Sequence, residues 1–212
     1  MAFVFYVLLS VTKYSKPEYS SSMPLPFIAD QTFNNQDFTN HNLSKAQYDN
    51  CQFIHCNFEE SFLATIEFYD CTFTECNFSN AKLKEAVFKD VIFERCKMVG
   101  LPFSTLNNFF SNFTFRECKL DYSDFSGLNM SHSTLDNCSL IQADFTETNL
   151  SNAIVSGSDL EHVIFDRSKL KATNFRTSIN YQIQPERNQM KGAQFSRTHI
   201  DGLLGHHQIK IE

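Results

Sequence analysis

Residues 51–80 read CQFIHCNFEESFLATIEFYDCTFTECNFSN, with a large apolar residue at every fifth place: Phe53, Phe58, Leu63, Phe68, Phe73 and Phe78. The spacing runs on without a miss, upstream through Tyr48, Leu43 and Phe38 to Phe33, and downstream through Leu83, Phe88, Phe93 and Met98 to Phe103. Fifteen consecutive hits exceed what composition supplies. A helix repeats near 3.6 residues and a strand at 2, so neither element accounts for a five. Two residues before most centres lies a second, smaller set that includes Ala46, Cys51, Cys56, Ser61, Cys71, Cys76, Ala81, Ala86 and Cys96. Two inward residues followed by outward polar ones describe a very short strand that turns a corner every five residues. Such a strand has no partner within its own coil. It must hydrogen-bond to the coils above and below, which makes an all-β solenoid.

A second segment carries thirteen further centres: Phe115, Leu120, Phe125, Met130, Leu135, Leu140, Phe145, Leu150, Val155, Leu160, Phe165, Leu170 and Phe175. Between the segments, Ser104–Thr114 (STLNNFFSNFT) breaks the phase, because Phe115 follows Phe103 by twelve residues. A protrusion or kink is expected there. Phe109, Phe110 and Phe113 either tuck back, the favoured reading, or stand exposed; exposed aromatics would make Leu106, Asn107, Asn108, Phe109 and Phe110 a contact loop. The repeat is expected over residues 25–178. Asn180–Asn188 interrupts the walls with a turn at Pro185, while Met190 and Phe195 keep the phase for one partial layer. His199–His206 reads as a short helical cap and Gln208–Glu212 as a strand. An open solenoid end exposes interior and edges. Leu203, Leu204, Ile209 and Ile211 are the residues expected to cover it, preferentially by pairing with a second copy about a two-fold axis.

Residues 1–24 lack the repeat. Ala2–Val11 is apolar but too short to span a bilayer and has no basic stretch before it, so a packing arm or flexible lead is expected. The 212 residues suit one domain, with 23 Phe, no Trp and six Gly, because one residue type fills equivalent interior places. A net charge of −6 repels nucleic acid. All seven cysteines, Cys51, Cys56, Cys71, Cys76, Cys96, Cys118 and Cys138, fall in the small inward slot, where a thiol acts as a compact hydrophobe. Successive pentapeptides lie on different walls, so Cys51-x4-Cys56 is not read as a metal cage. Reduced core thiols suit a cytoplasmic protein.

The pentapeptides CNFEE, CNFSN, ADFTE, TNLSN, SDLEH and TNFRT resemble the pentapeptide-repeat family, over about residues 31–178. That likeness implies a right-handed, four-sided β-helix with four pentapeptides per coil. Residues twenty apart then stack: Phe33 with Phe53, Phe73 and Phe93; Phe38 with Phe58, Phe78 and Met98; Leu43 with Leu63, Leu83 and Phe103; Tyr48 with Phe68 and Phe88. The break and the ending NYQIQPERNQMKGAQFSRTHIDGLLGHHQIKIE resemble the branch containing the Qnr-type quinolone-resistance proteins and the albicidin- and microcin-immunity proteins. What that resemblance implies is a tail-to-tail homodimer whose acidic surface imitates DNA and docks on DNA gyrase or topoisomerase IV. The quinolone-resistance members project two outward loops; here only Ser104–Thr114 offers one.

Charge gives a separate line. From Glu117 to Asp166 there are nine acids and one basic residue, Lys119. The acids are Glu117, Asp121, Asp124, Asp136, Asp144, Glu147, Asp159, Glu161 and Asp166; none occupies an inward slot, so all are expected in water, with Asp124 above Asp144. Solubility alone would also place acids on several walls. The leading function is recognition of a bacterial type II topoisomerase through this face, and the alternative is a scaffold with another protein partner. An acidic, ordered wall favours the first, and acids neutralised across coils favour the second.

Catalysis is not expected. There is no phosphate-binding glycine loop and no Gly-x-Ser-x-Gly elbow, and a filled rod offers no deep pocket. His132 and His162 are one and a half coils apart and should face opposite walls. His206-His207 has no carboxylate or cysteine at ligand spacing nearby, so no metal or cofactor is assigned.

Overall fold

The computed structural model describes residues 24–107, 112–207 and 209; Ala2–Val11, Asn108, Phe109, Phe110 and Ile211 lie outside them. The fold is a four-walled parallel β-solenoid. The first wall is a nine-stranded sheet of β2 (Thr32–Asn34), β4 (Gln52–Ile54), β6 (Thr72–Thr74), β8 (Val91–Glu94), β9 (Phe113–Arg116), β10 (Thr134–Asp136), β11 (Ile154–Ser156), β12 (Asn174–Phe175) and β13 (Gln194–Phe195). The second is a column of single parallel bridges running from Asp37 through Asn57, Asn77, Lys97, Lys119, Ser139 and Asp159 to Ile179. The third holds the Phe62–Lys82 bridge and the column Pro102, Asp124, Asp144, Ile164. The fourth is the sheet of β1 (Phe27–Ala29), β3 (Gln47–Asp49), β5 (Glu67–Tyr69) and β7 (Val87–Lys89), continued by the bridges Asn129, Asn149, Lys169 and Gln189. Nine layers on the first wall give a rod of roughly 38 Å at ~4.8 Å per layer.

Residues twenty apart pair directly, Phe53 with Phe73 and Phe68 with Phe88. Their rings stack: Phe33 on Phe53 at 4.7 Å, Phe53 on Phe73 at 4.7 Å and Phe73 on Phe93 at 5.1 Å, while neighbouring walls meet edge to face, as Phe73 does Phe78. At most corners the chain passes through a positive φ, even at His55, Thr65 and Glu75. A side chain there costs about 1–2 kcal/mol. The corner N–H has a fixed partner one coil on: His55 N donates to Thr74 O and Glu75 N to Glu94 O, both at 2.9 Å. Gly157 is a stricter case, since a Cβ there would sit 2.2 Å from Asn137 Oδ1.

All seven cysteines are buried and free. They are more than small hydrophobes. Cys76, Cys96 and Cys118 each donate S–H to a carbonyl one coil below (Phe53, Phe73 and Phe93, 3.4 Å), and Ser158 and Ser178 use the same slot to reach Leu135 O and Val155 O. Cysteine and serine alternate there because both are small donors. Burial pushes the Cys71 thiol up to about 12, and Cys96 is pushed up by its contacts with Cys118 and Cys76 and by burial.

At the break, β8 pairs with β9 as Val91 with Phe113, a step of 22 instead of 20. A 3-10 turn, Phe103–Thr105, opens it. Leu106, one of the residues of the possible contact loop, is 6% exposed and part of the core, and Asn107 N donates to Ala86 O at 2.9 Å. Phe113 is tucked back and fully buried, edge-on to Phe103 and 5.4 Å from Phe115. It occupies the inward slot held by Val91 in the coil below, and the extra residues give its larger ring room.

At the C-terminal end, Asn180–Asn188 interrupts the third wall, as expected: its bridge column stops at Ile164 among the described residues and a 3-10 turn, Pro185–Arg187, follows. The walls on either side continue, with Ile179 and Gln189 bridged to Asp159 and Lys169, and Tyr181 and Ile183 are buried. The cap consists of 3-10 turns at Pro185–Arg187, Arg197–Leu203 and Gly205–His207. Leu203 packs on its own chain's core, and Ile183 N donates to Gly202 O at 2.9 Å. Leu204 is half-buried, whereas Ile200 and Ile209 are exposed.

Phe73→Ala, in the middle of the ring column, is expected to lower unfolding free energy by about 3–5 kcal/mol in urea titrations. Phe62→Ala, whose ring is 63% exposed, is expected to change it by less than about 0.5 kcal/mol.

Candidate partner-binding surface

The repeat phase distributes the nine acids over three walls. Glu117 and Asp136 belong to the first wall and its corner; Asp121, Asp159 and Glu161 to the second; Asp124, Asp144, Glu147 and Asp166 to the third and its corner. None lies on the fourth, whose last layers carry Lys169, Lys171 and Lys191. Asp124 and Asp144 are adjacent in one bridge column, as their separation of twenty requires.

Most of these carboxylates do not stand free in water. Asp121, Asp124, Asp136, Asp144 and Asp159 are half-buried along the rod. Asp124 Oδ1 accepts from Ser126 N at 2.9 Å, Asp144 Oδ1 from Thr146 N at 2.7 Å and Asp159 Oδ1 from Glu161 N at 3.1 Å. Asn57, Asn77, Asn129 and Asn149 make the same turn two residues on. At this place in the pentapeptide an Asx side chain is chosen because its oxygen satisfies a local N–H, charged or not. Contacts between coils pin the others: Ser139 Oγ and Ile141 N donate to Asp121, Ser156 Oγ to Asp136, Ser104 Oγ to Asp124 and Asn180 Nδ2 to Asp159. Burial opposes ionisation of Asp124, but the hydrogen bonds from Ser104 and Ser126 outweigh it and hold the carboxyl below its ordinary value.

Arginines answer the remaining charge. Arg167 pairs with Glu147 at 2.9 Å and with Asp166 at 2.5 Å, and Arg187 Nη2 lies 2.6 Å from Asp166 Oδ1, close enough for charge pairing though outside hydrogen-bond alignment. The Asp166 side chain is 17% exposed, so it faces these cations more than solvent. Signs also alternate up the rod upstream: His55, Glu75 and Arg95 form one corner column, and Glu94 pairs with Arg116 beside it. Glu117 and Glu161 remain exposed, Glu161 with His162 at 3.6 Å. His132 and His162 fall at diagonally opposite corners, as expected.

Of the contact loop, Leu106 is a core residue and Asn107 is half-buried. An open groove lies against the cap, bordered by Glu161, His162, Tyr181 and Asp201. No described helix is long and apolar enough to cross a membrane. Sequence reasoning missed one cluster. Glu186 lies exactly one coil, twenty residues, before His206, and its carboxylate reaches both His206 and His207. The period of twenty was the signal that could have found it.

Among protein families, the one described as pentapeptide repeat region matches residues 46–125 and 107–175. Among solved structures, one of QnrB1, a plasmid-mediated fluoroquinolone resistance protein, is 18% identical, covering 89% of this chain and 99% of that one, with a TM-score of 0.49. HetL from Nostoc sp. strain PCC 7120, a pentapeptide repeat protein involved in heterocyst differentiation regulation, is 17% identical over 79% and 86% of the two chains, with a TM-score of 0.36. Rfr23 from Cyanothece 51142 is 13% identical over 82% and 86%, with a TM-score of 0.18. No curated protein matches the sequence significantly.

Asp124 has its folded pKa depressed, so it adds stability that is fully present above its ordinary 3.8 and is lost as pH falls from there through the lower folded value. Asp124→Asn is therefore expected to be less stable than the parent at pH 6, with the difference shrinking at pH 3. Urea titrations at the two pH values check this.

Proposed function

The chain belongs to the pentapeptide-repeat family, and from that premise we propose that it is a non-catalytic recognition rod that binds a bacterial type II topoisomerase, DNA gyrase or topoisomerase IV, through the anionic half between Glu117 and Asp166. One observation carries the reading, the linear charge density. Nine acids and one lysine occupy two and a half coils, about 12 Å of axis at ~4.8 Å per coil. That is one net negative charge per ~1.5 Å, against ~1.7 Å for duplex DNA. Counting the flanking Arg116 and Arg167 lowers the density to one per ~2 Å. The charge wraps three walls, as the charge of a duplex wraps its axis. Hydrogen bonds hold Asp121, Asp124, Asp136, Asp144 and Asp159 in place, so little side-chain freedom is lost on binding.

The mechanism is competition for a cationic DNA-binding surface, giving resistance to a drug or toxin that acts on the enzyme–DNA complex. Such binding weakens steeply with salt. A scaffold role with a different protein partner is the second reading, favoured by the charge pairing of Glu147 and Asp166 with Arg167 and Arg187.

Gyrase supercoiling, measured with purified protein at two salt concentrations with and without a fluoroquinolone, separates the two. Salt-sensitive inhibition or drug rescue, lost in Asp124→Lys with Asp144→Lys, is the expected result. No effect at any concentration leaves the scaffold.

The same proposal includes a two-fold dimer through the cap, where Ile200 and Ile209 stay exposed after Leu203 has packed inward. Light scattering is expected to give twice the monomer mass for the parent chain and the monomer mass for Ile200→Asp with Ile209→Asp.

A further inference from the structure

We infer that Glu186, His206 and His207 form a binding site for a divalent transition metal ion of the Zn2+ class, which clamps the C-terminal cap onto the last coil. Glu186 stands in the 3-10 turn Pro185–Arg187, and both histidines in the turn Gly205–His207. His206 Nε2 is 3.1 Å from Glu186 Oε2 and His207 Nε2 is 3.5 Å from Glu186 Oε1. One ligand atom from each of the three residues lies within 4.8 Å of the others.

These separations suit one ion. Zn–N and Zn–O bonds of about 2.0–2.2 Å place tetrahedral ligands roughly 3.3–3.5 Å apart; each imidazole is already near that distance from one oxygen of the carboxylate, His206 from Oε2 and His207 from Oε1, and a small side-chain rotation brings all three groups onto one ion. Two imidazoles and one carboxylate are the donor types that borderline transition metals select, and an O-only ion such as Mg2+ has no use for the imidazoles. The two imidazole ring centroids lie 3.8 Å apart, and the Nε2 atoms of both rings are within 3.5 Å of the same carboxylate. Three protein ligands leave the fourth position to water or to a group from a partner.

The site joins elements that the chain otherwise links through few described contacts, among them Ile183 N to Gly202 O. An ion bound there ties residue 186 to residues 206 and 207 across one coil, and stabilises only the closed cap. This inference does not depend on which partner the anionic half recognises.

Calorimetric titration of the full chain with ZnCl2, with MgCl2 as control, tests it. The expected result is saturable binding of one Zn2+ per chain, weakened at least tenfold in Glu186→Gln and in His206→Gln with His207→Gln, and no binding of Mg2+. Because all three side chains are at the surface, circular dichroism of the variants is expected to match the parent. Amide hydrogen exchange reads the clamp: Zn2+ should slow exchange at Ile183 in the parent chain and not in Glu186→Gln. Equal Zn2+ affinity in parent and variants, or no binding by the parent, overturns the site and leaves an ion pair only. Binding at these residues without protection of Ile183 overturns the clamp.

Discussion

A coil of this protein has nothing to bond with except the coils above and below it. Away from the break, inward rings rest on their counterparts twenty residues away, and the bridges of the walls keep the same step. The constraint is mutual. Parallel pairing at a fixed step superposes like residues, and like residues superposed make a close-packed column. Nearly every other feature depends on keeping that step. Corners accept a positive φ in residues such as Thr65 and Glu75 because the next coil's carbonyl is already waiting for their N–H. Thiols and hydroxyls share the small slot with alanine because each is compact, and those that can donate reach a carbonyl one coil down.

The single place where the step changes shows how the interior tolerates a fault. Two extra residues after Phe103 open the coil locally, and a phenylalanine, Phe113, fills the slot that elsewhere holds a small side chain. The sheet of the first wall passes through the fault unbroken from β8 to β9, so the rod above and below remains one piece. At the far end, Tyr181 and Ile183 continue the interior and Leu203 closes it, which leaves the remaining apolar groups of the cap, Ile200 and Ile209, facing outward.

A solenoid's outer surface is a lattice, and charge on it is read in columns. In the first half of the rod Arg95 stands one coil from Glu75 and Arg116 one coil from Glu94, and these opposite charges neutralise each other. Each such exposed pair is worth little to stability, typically 0–1 kcal/mol. Their larger effect is on the field, which they cancel locally. Between Glu117 and Asp166 the alternation gives way to carboxylates fixed by hydroxyl, amide and backbone donors, which hold an anion in place without neutralising it. Arg167 and Arg187 restore the alternation at the upper border. The anionic half is thus a bounded feature of the rod.

The primary sequence determined the solenoid and the identity of the core, because a period of five is a geometric instruction repeated at every coil; the four walls and the stacking of Asp124 on Asp144 followed from the resemblance, which set four pentapeptides to the coil. Where that period holds, position in the chain is position in space. It also contained the pairing of Glu186 with His206, twenty apart, though nothing marked that separation amid a turn at Pro185 and a loss of apolar centres. Only the tertiary structure decided the rest. Leu106 turned inward and Phe113 filled a small slot because the path of a slipped coil depends on volume available between its neighbours. Asp166 met two arginines, and Asp121 and Asp136 met serine hydroxyls, because a partner is chosen by rotamer and corner geometry among several side chains at equal register. The repeat says which wall a carboxylate stands on. What it touches there is settled by packing in three dimensions.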